Sequence, residues 1–361
     1  MVETIGYIGL NHSHRSLYLE SLAQLPVEIT CACEPDKSFD LDRIDNLNLD
    51  RISLYRDPDA LLGEEDIDLA WVTLSNKATA PVVETAVKRG IDVFAEKSLA
   101  RTATELAPVA EAAQRADATV GTAYFNRASP VHRELRYRRS SGFFGDLRAF
   151  GANLFTNKLT SRLQSAQQPD YLYNLEEAGG GILQWLGCHY LDLFEWILND
   201  PVERMNAQLT YGDTATDIED GATVQMETCS GAQGTLQLGY YLRAASGLRG
   251  DAAAGPDIEP MHIYGMDGSA VVASDGATVR LGADVPEWDS APTRTLLFEE
   301  PATPGYGGQA GLDYINALFE VCRGNDNELV ATIGDELRVL QLLDAAYESA
   351  KTNEWVEPEL H

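Results

Sequence analysis

The sequence predicts an α/β protein in two parts: a doubly wound parallel sheet over residues 1–124 and a C-terminal α+β domain with a largely antiparallel open sheet over residues 125–361. Three observations predict it. In the first third, short apolar runs alternate with helix-period segments, the pattern of βαβ units built on a parallel sheet. Past Tyr124 the strands lengthen and follow one another, with turn residues between them. At 361 residues the chain is also long enough for two cores of ordinary size.

The elements follow in order. Residues 4–10 form a first strand, 16–25 a helix, and 27–33 a second strand ending at Glu34-Pro35-Asp36. Residues 68–74 are a further strand, and 81–89 a helix closed by Gly90. Residues 92–95, 103–116 and 119–123 then read as strand, helix and strand. Right-handed crossovers place any ligand of such a sheet at the C-terminal strand ends. In the second part, residues 129–140 read as a helix, 147–155 as a strand, and 179–198 as one long apolar helix. From 204 to 279 the chain reads as successive strands, with a Gly- and Ala-rich loop over 244–256. Helices return at 311–323 and 335–351.

Composition narrows the partners. The net charge is −29, the isoelectric point is near 4.4, and the carboxylates are scattered along the chain. Nucleic acid and anionic membranes are therefore excluded, because both require a basic footprint. Lysine occurs only at Lys37, Lys77, Lys88, Lys97, Lys158 and Lys351. Dispersed acid with little lysine resembles proteins of salt-accumulating halophiles, where molar salt screens self-repulsion. Apolar runs fall short of the roughly 20 residues of a membrane span. Met1-Val2-Glu3-Thr4-Ile5-Gly6 carries no basic leader, so a cytoplasmic protein is expected. The five cysteines are odd in number and lack metal-ligand spacing, so neither disulfides nor a metal is expected.

Gly9-Leu10-Asn11-His12-Ser13-His14 occupies the first strand-to-helix turn, where a G-x-G-x-x-G fingerprint belongs. Only its first glycine is present. The context is nonetheless that of a dinucleotide-binding Rossmann domain, because Glu34 ends the next strand where the ribose-binding acid belongs. A helix N-terminus offers backbone N–H groups to a pyrophosphate whatever its side chains. Asn11 tolerates a tight turn, and His12 and His14 either face the phosphate and nicotinamide or cap the helix. Glu34 accepts from ribose hydroxyls and repels a 2′-phosphate, which favours NAD over NADP.

Two further segments carry the chemistry. One is Glu96-Lys97-Ser98-Leu99-Ala100, after the strand 92–95. The other is Gly179-Gly180-Gly181-Ile182-Leu183-Gln184-Trp185-Leu186-Gly187-Cys188-His189-Tyr190-Leu191-Asp192. They resemble the E-K-P and G-G-G-x-L-x-D-x-G-x-H-x-x-D motifs of the glucose–fructose oxidoreductase / inositol dehydrogenase (Gfo/Idh/MocA) family. Ser75-Asn76, Asn126-Arg127 and residues 345–350 extend the likeness in the family's order. The resemblance implies an NAD-dependent oxidoreductase that moves hydride to or from a sugar, polyol or related hydroxy or keto compound. Lys97 would bind the reacting oxygen and His189 would be its base or acid. Gly9, Asn11, His12, His14, Glu34, Ser75, Asn76, Glu96 and Lys97 would hold the cofactor. Asn126, Arg127, Trp185 and His189 would join Lys97 around the substrate, with further contacts in 153–166, 171–174 and 306–309.

The sequence departs from the family at three places. Trp185 replaces an aspartate four residues before His189, which on one helix puts both side chains on one face. Trp185 removes an anion that would raise the histidine's pKa, and presents a flat apolar ring to the cleft or the core. Ser98 replaces the family proline, and Thr79 a histidine. Asp192 is the nearest remaining partner for His189. Two other functions stay open at this point: the NAD-using glycoside hydrolases of the same family, and a catalytically silent dinucleotide sensor. The resemblance also implies a homodimer or homotetramer formed through an uncovered apolar sheet face.

Overall fold

A computed structural model describes residues 2–44, 46–159, 170–212, 216–242 and 259–359. The expected loop over 244–256 lies outside the described residues, as do residues 160–166 of the first candidate substrate segment.

The first sheet contains β1 (Thr4–Ile8), β2 (Glu28–Cys33), β3 (Ser53–Tyr55), β4 (Leu69–Val72), β5 (Asp92–Ala95) and β6 (Val120–Thr122). These six are mutually parallel, in the order β6-β5-β4-β1-β2-β3. Four of the five residues of β1 and all four of β4 are buried. That is why both read as continuous apolar runs rather than alternating ones. The order in which strands are added reverses between β1 and β4, so their C-terminal ends open the crevice in which such folds bind ligands. The helix α1 (Arg15–Leu22) leaves this crevice directly after β1.

The end of the chain returns to this first sheet. A two-residue strand, β15 (Ala331–Thr332), pairs antiparallel with β6 and makes a seventh strand that sequence reading missed. It is followed at once by a long helix, Ile333–Thr352, started by a capping box between Thr332 and Asp335.

The second sheet contains β7 (Leu147–Phe155), β8 (Val202–Thr210), β9 (Gly221–Thr228), β10 (Gln233–Gly239), β11 (Met261–Gly265), β12 (Gly268–Val272), β13 (Thr278–Ala283) and β14 (Thr293–Leu297). It runs β14-β13-β12-β11-β7-β10-β9-β8 and is antiparallel except where β10 pairs with β7. On β9 and β10, Val224, Met226, Leu236 and Leu238 are buried in the core. Their alternates Thr223, Gln225, Thr235 and Gln237 are exposed. The uncovered face of these strands is thus polar, which corrects the expectation of an apolar one. Alternation of period two puts every apolar residue on the covered side.

The expected helix over 179–198 is broken. A short helix, Leu175–Ala178, ends at Gly179, and a π-helical turn over Leu183–Gly187 leads into a regular helix, Cys188–Leu198. The cause is the Gly-rich lead-in. A side chain at Gly181 would lie 2.1 Å from the Glu219 carbonyl oxygen, so strand and helix start approach as only glycine allows. The Glu219 carboxylate accepts from Gly181 N at 2.6 Å and Leu183 N at 3.0 Å, satisfying the helix's first donors. No described helix is long and apolar enough to cross a membrane.

Candidate active site

The turn after β1 is built around Gly9. Its φ is +99°, and a Cβ there would lie 2.1 Å from the Thr73 carbonyl oxygen, so only glycine fits beside the end of β4. The Thr73 hydroxyl donates to Gly9 O at 2.6 Å, and Gly9 N donates to Cys33 O at 2.9 Å. Three strand ends are locked together in this way. Glu34, 2% exposed, accepts from Asn11 N at 2.6 Å and Asp36 N at 2.8 Å, tying the turn to the end of β2. Burial pushes its carboxyl above the usual range against those two bonds. Asn11 also donates through Nδ2 to Asp36 at 3.2 Å.

His12 and His14 stand edge-on, with ring centroids 5.0 Å apart, at the start of α1. Below them is Glu96, 4% exposed, at the end of β5. Its Oε2 accepts from the Tyr18 hydroxyl and, at 3.1 Å, from His14 Nδ1. Burial raises the Glu96 carboxyl, but His14, Lys97 and His12 together outweigh it and hold it well below the carboxylate range. The grouping of His12, His14 and Glu96 is not visible in sequence. The H-x-H spacing is its only trace.

Lys97 is 4% exposed. Its Nζ donates to the backbone oxygen of Trp185 at 2.8 Å and lies 5.6 Å from the centre of the Trp185 ring. A π-helical turn disturbs the i→i−4 ladder at the very segment that offers this carbonyl. Lys97, Trp185, His12 and Tyr171 line one small cavity between the two sheets, so Trp185 faces the cleft. His189 follows on the helix Cys188–Leu198, edge-on to Tyr124 with centroids 5.7 Å apart. Its Nδ1 is buried with no hydrogen-bond partner among the described residues. Burial, then the charge of Lys97, push the imidazole well below its ordinary pKa, so it is neutral at neutral pH. The charge of Lys158 acts in the same direction. Lys158 lies within the segment 153–166 but was not singled out from the sequence.

Four further expected site residues make contacts within the protein. Arg127 is 3% exposed, and its Nε lies 3.1 and 3.0 Å from the two oxygens of Asp192. Its Nη2 lies 2.5 Å from Asp192 Oδ1 and 3.3 Å from Asp335. The guanidinium is committed to a buried clasp rather than to substrate, and Asp192 is thereby removed as a partner for His189. Ser75 donates to Glu177 at 3.0 Å, and Asn76 Nδ2 donates to Ala178 O at 2.7 Å. Both side chains hold the segment Leu175–Ala178 across the cleft. Asn126 is exposed, and its backbone oxygen accepts from His132 Nδ1 at 2.8 Å.

Comparison with known families now bears on this geometry. Residues 4–124 match the family model described as "Oxidoreductase family, NAD-binding Rossmann fold", and residues 132–271 match the GFO/IDH/MocA C-terminal domain. The chain belongs to the GFO/IDH/MocA oxidoreductase family. Among its relatives, D-apiose dehydrogenase of Paraburkholderia graminis is 24% identical over 98% of this chain and 87% of its own length. Inositol 2-dehydrogenase of Salmonella typhimurium is 26% identical over 63% of this chain and 62% of its own. A solved levoglucosan dehydrogenase in complex with NADH superposes with a TM-score of 0.82 at 17% identity, covering 99% of this chain and 100% of that one. At that identity the superposition speaks to the fold alone. The GFO/IDH/MocA chain is thus an NAD-dependent oxidoreductase of a family that includes sugar and polyol dehydrogenases.

The residues present fit the dinucleotide. Gly9 brings the turn after β1 against the end of β4, Glu34 ends β2 with a carboxylate that accepts from Asn11 N and Asp36 N, and His189 Nδ1 is buried with no hydrogen-bond partner among the described residues.

Proposed function

We propose that this oxidoreductase interconverts a secondary alcohol and a ketone on a sugar or polyol, with Lys97 and His189 acting on the reacting oxygen. The observation that carries the reading is Lys97: a buried ammonium at the end of β5, bonded to a neutral carbonyl and lining the cavity between the sheets. An ammonium has three donors, and the Trp185 carbonyl uses one. A second donor to the substrate oxygen would stabilise the developing alkoxide in a site with little water. His189, held neutral, takes the hydroxyl proton at Nδ1 in oxidation and returns it in reduction. Bound NAD supplies the hydride acceptor or donor. The turn 9–14 and Glu34 would hold it, and Glu34 favours NAD over NADP by repelling a 2′-phosphate. Trp185 supplies a flat face for sugar C–H groups in place of the family aspartate.

The test is NADH fluorescence with D-apiose, myo-inositol, levoglucosan and D-xylose, each taken from the activity of a family relative. Turnover of at least one, with NADH formed in step with the oxidised product (ketone from a secondary alcohol, lactone from an aldose hemiacetal), is the expected result. Cleavage of a glycoside without net NADH would replace the reading with hydrolysis. Tight dinucleotide binding without turnover of any sugar, polyol or sugar acid would replace it with a sensor.

A further inference from the structure

We propose that His12, His14 and Glu96 form a binding site for one divalent first-row transition-metal ion at the wall of the substrate cleft. Two imidazoles and one carboxylate are a donor set that Zn²⁺ and Fe²⁺ accept while keeping positions open for other ligands. The three donor atoms lie within 4.8 Å of one another. Two of them, His14 Nδ1 and Glu96 Oε2, are 3.1 Å apart. Neighbouring ligands of an ion with bonds of about 2.0–2.1 Å are separated by about 3.0–3.4 Å, so this edge of the coordination shell already exists.

A second observation points the same way. Glu96 is 4% exposed, and its Oε1 is buried without a hydrogen-bond partner among the described residues. A buried carboxylate with an unsatisfied oxygen is a costly arrangement, and an ion held by both carboxylate oxygens satisfies Oε1, where one held by Oε2 alone does not. The supporting shell is also in place. The Tyr18 hydroxyl donates to Glu96 Oε2, and the Tyr306 ring packs 4.5 Å from that of His14, so both groups are oriented before an ion arrives. Coordination exchanges two present bonds for metal bonds. One is His14 Nδ1 to Glu96. The other is His14 N to His12 Nδ1 at 3.1 Å, which is given up whichever His12 nitrogen binds the ion.

His12 lines the same cavity as Lys97 and Trp185, so open positions on the ion face the chamber assigned to substrate. The ligand class that would complete the shell is an oxygen chelate, such as a vicinal diol or a hydroxy acid. The metal site itself does not depend on the hydride-transfer reading.

The experiment titrates untagged, metal-stripped protein with Co²⁺, without dinucleotide or sugar, and reads visible d–d absorption and calorimetric stoichiometry. One Co²⁺ per chain is expected, displaced by Zn²⁺, which binds such a site more tightly. His12→Ala, His14→Ala and Glu96→Gln should each weaken the ion by about tenfold or more, whereas His262→Ala, on the second sheet, should not. Circular dichroism establishes that each variant is folded, and the two histidine variants carry the test should Glu96→Gln unfold. Absence of a stoichiometric d–d band, or unchanged affinity in both His12→Ala and His14→Ala, would overturn the site. Stoichiometric Co²⁺ binding without NADH formation on any sugar would leave the site standing and refute only the proposed reaction.

Discussion

Replacing Arg127 with methionine removes one charge from a buried clasp while keeping most of the side chain's volume. The perturbation is large because both partners are dry: Arg127 is 3% and Asp192 1% exposed. The guanidinium meets Asp192 through three contacts of 2.5 to 3.1 Å and reaches Asp335 at 3.3 Å. Burial works against the charge, the Asp192 carboxylate outweighs it, and Arg127 stays ionised. Removing one partner of such a pair strands the other and costs about 3–5 kcal/mol. An unfolding entropy of about 2.1 cal/mol/K per residue gives about 0.76 kcal/mol/K for the chain, so Tm falls by about 4–7 °C. Replacing both partners, Arg127→Met with Asp192→Leu, should recover most of that loss, because an apolar pair of similar volume is close to neutral. Scanning calorimetry of wild type, both single variants and the double variant measures this. The KM values of Arg127→Met should stay near wild type. A Tm shift under about 1 °C, losses that simply add in the double variant, or a raised substrate KM with intact Tm would refute the clasp and restore a substrate role.

Glu336 gives the pH dependence. It is fully buried, accepts from the Tyr124 hydroxyl at 2.5 Å and Leu99 N at 2.9 Å, and burial pushes it up to about 7. The folded chain therefore holds this proton more tightly than the unfolded one. The contribution is fully present below about pH 4.5 and is lost as pH rises to about 7, a change of about 3 kcal/mol at 1.36 kcal/mol per unit. Denaturant titrations from pH 5 to 8 should show Glu336→Gln with a flatter decline than wild type, and an identical decline would contradict the assignment. At a net charge of −29, stability should also rise from low to molar KCl. A Tm independent of salt would show that the acidic surface is no adaptation to salt.

Much of the fold was legible because the first sheet is written in local signals. Buried strands such as Leu69–Val72 read as unbroken apolar runs, and the strands of the second sheet alternate with period two. What sequence missed was non-local. The strand Ala331–Thr332 is too short to leave a periodic signal, and it exists only because β6 offers an edge. The break in the 179–198 helix comes from Glu219, a residue more than 30 positions away that caps the turn from the second sheet. In the candidate site, Lys97, His189 and Trp185 were singled out by motif, and the structure sets Trp185 beside Lys97. The pairing of Arg127 with Asp192, 65 residues distant, and the bonds of Ser75 and Asn76 to partners about 100 residues on leave no local signal. The grouping of His14 with Glu96, 82 residues apart, escaped for the same reason.

The role of Lys97 is tested most directly by Lys97→Met, assayed with the best substrate of the sugar panel. A fall in kcat of about 100-fold or more is expected, with the NAD⁺ dissociation constant from fluorescence titration within about twofold of wild type. A variant that turns over at the wild-type rate, or one that loses activity only because NAD⁺ no longer binds, would contradict that role.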